Sequence, residues 1–123
     1  MKLAIIGSRQ FDDYVFFKEQ IGIFLQTHDK PTLIISGGAK GADSLAEHYA
    51  TEHKIELMVF LPDYKTYGRG AAFVRNRLIV DNADMVLAFW DGESTGTQYT
   101  MDYAKKQNKS VVLIQISVTQ KLL

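Results

Sequence analysis

Five short apolar runs recur along the chain: Leu3 to Ile6, Thr32 to Ile35, Glu56 to Leu61, Met85 to Phe89 and Val111 to Gln115. Most are continuous rather than alternating, which is how strands buried on both faces of a parallel sheet read. Between them the apolar spacing becomes helical. Phe17, Ile21, Phe24 and Leu25 recur at helical intervals after an Asp12-Asp13 start signal. Ala42, Leu45, Ala46, Tyr49 and Ala50 form a complete stripe, and Ala71, Val74, Leu78 and Ile79 form another. The segment from Thr95 to Gln107 is a further helix, with Lys105 and Lys106 in its last turn and Asn108 as its stop.

The strict alternation of strand and helix predicts a Rossmann-like three-layer α/β/α sandwich with parallel strands and right-handed crossovers. Fold statistics give the strand order 3-2-1-4-5. The 123 residues suit a single domain spanning 1–123, with no linker or internal repeat. The longest irregular connection runs from Pro62 to Gly70 and suits either a lid or a plain surface loop.

Composition narrows the chemistry. There is no cysteine, so disulfides, thiolate metal sites and cysteine nucleophiles are excluded. His28, His48 and His53 have no metal-ligand spacing and read as surface residues, so neither metal nor cofactor is expected. The 14 basic residues balance 14 acidic ones, which counts against nucleic acid as a partner. The opening segment has too short an apolar run for a signal peptide, and no stretch approaches the roughly 20 apolar residues of a membrane span. A cytoplasmic protein without a membrane partner is expected.

Ligands of open α/β sheets bind beyond the carboxyl ends of the strands, where the strand order reverses. Here that point lies between strands 1 and 4. The adjacent loops are Gly7-Ser8-Arg9, Ser36 to Asp43, and Trp90 to Thr97. In the second, Gly37, Gly38 and Gly41 let backbone N–H groups approach a phosphate before a helix start, and Lys40 adds positive charge. The same glycines also suit a tight strand-to-helix turn. Asp43 would meet a ribose hydroxyl, act as a base, or cap the helix. In the third loop, Gly92, Ser94, Thr95, Gly96 and Thr97 offer a second anion cradle at a helix start, and Trp90 either stacks on a base or packs inward. Arg9 follows the first strand, and Arg75 falls on the apolar stripe of its helix beside Asn76. An arginine there either snorkels to the rim or meets an anion, which makes the two arginines a candidate clamp.

Taken together, Gly7-Ser8-Arg9, the Ser36 to Asp43 loop, Tyr67-Gly68-Arg69 with Arg75-Asn76, and Ala88 to Gly92 with Ser94, Gly96 and Thr97 resemble the YspA-type branch of the SLOG superfamily. The resemblance covers nearly the whole chain. It implies a Rossmann-like domain of bacterial or phage origin that binds nucleotides or their derivatives. It assigns phosphate to Gly37, Gly38, Gly41, Gly96 and Thr97, and turns Arg75 to the ligand. Related LOG enzymes cleave the N-glycosidic bond of nucleoside monophosphates with a glutamate where this chain has Gln98, Tyr99 and Thr100. Asp43, Glu47 and Glu93 are the available substitutes, and Asp43 and Glu93 are the catalytic candidates. The leading expectation is thus a small nucleotide or nucleotide derivative bound by a sensor or binding protein. The alternatives are an N-glycosidase and a nucleic-acid module, since DNA-processing proteins carry related domains. Homo-oligomerisation is left open.

Overall fold

β1 (Lys2–Gly7) lies at the centre of a five-stranded parallel sheet. It is flanked by β2 (Leu33–Ser36) and β3 (Glu56–Val59) on one side, and by β4 (Met85–Trp90) and β5 (Ser110–Gln115) on the other. The computed structural model describes residues 1–117. The strand order β3-β2-β1-β4-β5 is the one expected from fold statistics. β1 pairs with β4 from Leu3 opposite Met85 to Gly7 opposite Phe89, so both strands end together.

The continuous apolar runs follow from burial on both faces. Successive residues of a strand point to opposite sides. Leu3 and Ile5 meet Phe17 and Ile21 of α1 (Tyr14–Phe24), with Ala46 of α2 (Ala42–Glu52) in the same core. Ala4 and Ile6 join the opposite core, with Ile79 of α4 (Ala71–Asn82) and Met101 of α5 (Thr95–Lys106). Phe17 is fully buried and stacks on Phe89 with 4.8 Å between ring centroids.

Several boundaries differ from the expectation for local physical reasons. Asp13, rather than the Asp pair, caps α1 by accepting from the Phe16 N–H at 3.0 Å. β3 stops at Val59 because its partner β2 ends at Ser36, where the chain turns away. The segment from Pro62 to Gly70 is not irregular: it holds a helical turn, α3 (Tyr64–Tyr67), and a tighter turn, Gly68–Gly70. Asp63 nucleates α3 by accepting from the Thr66 N–H at 3.1 Å. Asn108 does stop α5, in the left-handed conformation that ends many helices.

The third apolar stripe needs the largest correction. Leu78 is exposed, and the inward-facing residues of α4 include Ala71, Arg75 and Ile79. The arginine expected on the apolar stripe does occupy the core-facing line. The three histidines each stack on an aromatic ring: His28 on Phe24, His48 on Tyr14, and His53 on Tyr49. No helix among the described residues is long and apolar enough to cross a membrane.

Truncating the ring that joins α1 to the sheet should be costly. Phe17→Ala is expected to lower the unfolding free energy by about 3–5 kcal/mol. Urea denaturation would measure it, and a loss under about 1 kcal/mol would mean that the core closes over the gap.

Candidate functional site

The site is organised by the backbone of Ser8. Its N–H donates to the Phe89 carbonyl at 3.0 Å, which ties the turn after β1 to the end of β4. Its own carbonyl accepts from Phe11 N–H at 3.3 Å and from Ala42 N–H, at the start of α2, at 3.2 Å. Gly41 permits this convergence. It has φ +76°, and a Cβ there would collide with the backbone of Ser8 and Arg9. Beside this junction lies an open cleft of about 650 Å³, bounded by the β1 turn, α4 and the start of α5.

The glycine loop after β2 is satisfied from within. Gly38 N–H donates to the Ser36 hydroxyl at 3.3 Å, and Ala39 N–H to the Asp43 carboxylate at 3.1 Å. The Arg75 guanidinium donates through Nη1 to the Gly37 carbonyl and through Nε to Asn76 Oδ1, the latter at 2.7 Å. A side chain at Gly37 would run into both Arg75 and Asp43. Burial pushes the Asp43 carboxyl up, while the Ala39 N–H and the Arg75 charge pull it back; the net result stays raised. Burial lowers Arg75, which Asp43 opposes and the nearby Arg9 charge reinforces. Asp43 and Arg75 thus line the cleft while holding the shape of this loop. Ser36 also donates to Glu47, at 3.3 Å. Lys40 is exposed and outside the cleft wall.

The start of α5 is different. Asp91 Oδ1 accepts from Glu93 N–H at 2.9 Å and from Ser94 N–H at 2.8 Å, so it organises the turn. Burial pushes its carboxyl up, but these N–H donors and the Ser8 hydroxyl outweigh it and leave it below its usual value. Trp90 donates its indole N–H to the Ser94 carbonyl at 3.0 Å, bracing the same turn. Ser94 and Thr97 share a hydroxyl contact of 3.1 Å, and no side chain caps the helix. The N–H groups of Thr95, Gly96 and Thr97 have no hydrogen-bond partner among the described residues. Nothing lies within 4 Å of where a Gly96 Cβ would be, so the approach to them is open.

Ser8 completes the arrangement. It lines the cleft at only 2% exposure, and its hydroxyl lies close enough to the Asp91 carboxylate to lower it, yet makes no hydrogen bond of normal geometry to any described group. Free helix N–H groups and a positive helix end beside an orphaned hydroxyl suit an anion. The surrounding charge is mixed: Arg9 and Arg75 share the lining with Asp43, Asp91 and Glu93.

A family model described as the YspA, cpYpsA-related SLOG family matches residues 1–67. The chain belongs to this family. Among relatives of this SLOG chain, the Gene 61 protein of Mycobacterium phage D29 is 29% identical over 117 residues, covering 90% of this chain and 94% of the phage protein. Among solved structures, DNA processing protein A (DprA) from Streptococcus pneumoniae superposes with TM-score 0.74 at 19% identity, over 95% of this chain. The SLOG chain spans about half (51%) of that protein's length. DNA processing protein A from Helicobacter pylori, described for its single-stranded DNA binding mode, superposes with TM-score 0.71 at 22% identity. That match covers 98% of this chain and 67% of the other.

These neighbours overturn two expectations: a small nucleotide as the ligand, and nucleic acid as a poor partner. The matching folds come from DNA-processing proteins, one of them described as binding single strands. The balanced net charge misled because a sum over 123 residues carries no information about one cleft. The expected residues converge only in part. Ser8, Arg9, Arg75, Asn76, Ser94, Gly96 and Thr97 share the cleft, with Asp43 and Glu93 on the same lining. Gly7 also lines the cleft, and Gly7, Gly37 and Gly41 all stand where side chains would clash with neighbouring strands and loops. Sequence reasoning assigned no role to Asp91 or Phe73, which both line the cleft. An aspartate two and three residues ahead of the N–H groups it accepts is a recognisable turn signal; Phe73 had none.

The raised Asp43 gives a pH-dependent stability. Protonated, it is buried without ionic cost, so its stability is fully present below its unfolded value of about 3.9 and is lost as pH rises through the raised folded value. Asp43→Asn lacks this loss. The stability of the native chain relative to the variant should therefore fall with pH across that window and then level off. Denaturation from about pH 3 to pH 8 measures it; a constant difference would mean that Asp43 titrates as in the unfolded chain.

Proposed function

We propose that this SLOG domain binds single-stranded nucleic acid, with a backbone phosphate at the start of α5. The observation that carries the reading is the buried Ser8 hydroxyl, which makes no hydrogen bond of normal geometry, in the same cleft as the free N–H groups of Thr95, Gly96 and Thr97. A buried hydroxyl without a partner costs about 1–3 kcal/mol, so a ligand oxygen that satisfies it is favoured by that deficit. Arg9 supplies the exposed cation, while Arg75 is committed to the Gly37 carbonyl. The likeness in fold to DNA-processing proteins supports a phosphodiester rather than a small-molecule anion. A concave cleft also suits a flexible single strand better than a stiff duplex. Such a ligand would make the cytoplasm its place of action.

The mixed lining implies modest, non-specific affinity. One or two phosphates are engaged by dipoles and a single arginine, not by a basic stripe, so the salt dependence is shallow. Glu93 is exposed at the rim and opposes the phosphate.

Fluorescence anisotropy with a labelled oligo(dT) tests the reading. Ser8→Ala should weaken binding by about 10–100-fold, the loss of a hydrogen bond to a charged group, while leaving stability equal or higher. Arg9→Ala should weaken binding and flatten the log–log salt slope by about one. Glu93→Gln should strengthen binding. A native chain with no measurable affinity for single strands at low salt would refute the proposal. So would a Ser8→Ala variant that binds as well as the native chain.

A further inference from the structure

The cleft is far larger than a phosphate group, and its wall on α4 is aromatic. Phe73 lines it at 42% exposure, outside the buried line of Ala71, Arg75 and Ile79. Its orientation is held from the side. The Tyr99 ring of α5 meets it in a T-shaped contact, 4.7 Å between centroids and 71° between planes. Tyr99 is in turn fixed by Arg77, whose Nη1 donates to the tyrosine hydroxyl at 2.8 Å. A T-shaped contact occupies at most one face of Phe73, so a braced face remains for a ligand. Trp90, at the end of β4, is committed through its indole N–H to the Ser94 carbonyl.

From this arrangement we infer that Phe73 is the base-stacking platform of the cleft, receiving the nucleobase attached to the phosphate seated on α5. The inference rests on the single-strand reading above and adds what that site recognises beyond the phosphate. Phosphate contacts carry no information about whether bases are exposed. Stacking on an aromatic face is available only to an unpaired base, and it tolerates any sequence because every base has a flat face. Phe73 would therefore discriminate single strands from duplexes, while the α5 start and Arg9 hold the backbone. Fixing the ring through Tyr99 and Arg77 reduces the freedom lost on binding.

Oligo(dT) and an abasic sugar-phosphate chain of equal length separate the two contributions. The native chain should bind oligo(dT) more tightly than the abasic chain. Phe73→Leu should weaken oligo(dT) binding by about five- to a hundred-fold and leave abasic binding unchanged. Phe73→Tyr should restore the preference. Because the side chain is exposed, both variants should keep the native melting temperature. A Phe73→Leu variant that binds oligo(dT) like the native chain overturns the platform while leaving the single-strand reading intact. Equal weakening toward both chains also overturns it, since the ring would then only shape the phosphate site. Binding of neither chain by the native protein overturns the single-strand reading, and the platform with it.

Discussion

Ser8 uses its backbone to join three elements and thereby leaves its side chain stranded. Its N–H closes the end of β4, and its carbonyl receives the first N–H of α2 and that of Phe11 in its own turn. The parallel register of β1 and β4 brings Gly7 level with Phe89, so the turn after β1 has no room to relax outward. Gly41 must then approach from above without a side chain, which its positive φ and the absent Cβ allow. Every feature of the cleft is built outward from this junction. If it loosened, β1, the start of α2 and the end of β4 would lose their common anchor.

The two loops that share the cleft divide the work between shape and contact. After β2, a buried carboxylate and a buried guanidinium are turned back onto the loop's own N–H and carbonyl groups, so Asp43 and Arg75 are structural charges with a view of the cleft. The two charges favour each other through space, but each is hydrogen-bonded to the loop or to a neighbour and not to the other. After β4, the carboxylate of Asp91 consumes only the N–H groups ahead of the helix and leaves those of the first turn open. The difference of a few residues in where an aspartate sits relative to the helix start decides which loop has donors to offer. Electrostatics at this site therefore depend less on the count of charges than on which are already engaged.

The sequence by itself determined the layers and, once fold statistics had supplied the strand order, the region of the site. Continuous apolar runs can only be strands covered on both faces, and strict alternation with helices leaves one handed arrangement that packs. The cleft at the strand ends follows from that topology. Periodicity placed Arg75 on the inward line of α4, where the structure buries it, but also counted Leu78, which an apolar tally includes and the packing leaves exposed. Tertiary structure alone decided which donors are free, because hydrogen bonds such as Ala39 to Asp43 and Arg75 to Gly37 join groups whose pairing no local pattern dictates. It also decided that Ser8 is an orphan and that Phe73 faces the cleft, since both depend on distances between elements far apart in the chain. A sequence specifies which groups are present and the period on which they recur; whether a polar group is spent or available is settled only when the elements are packed together.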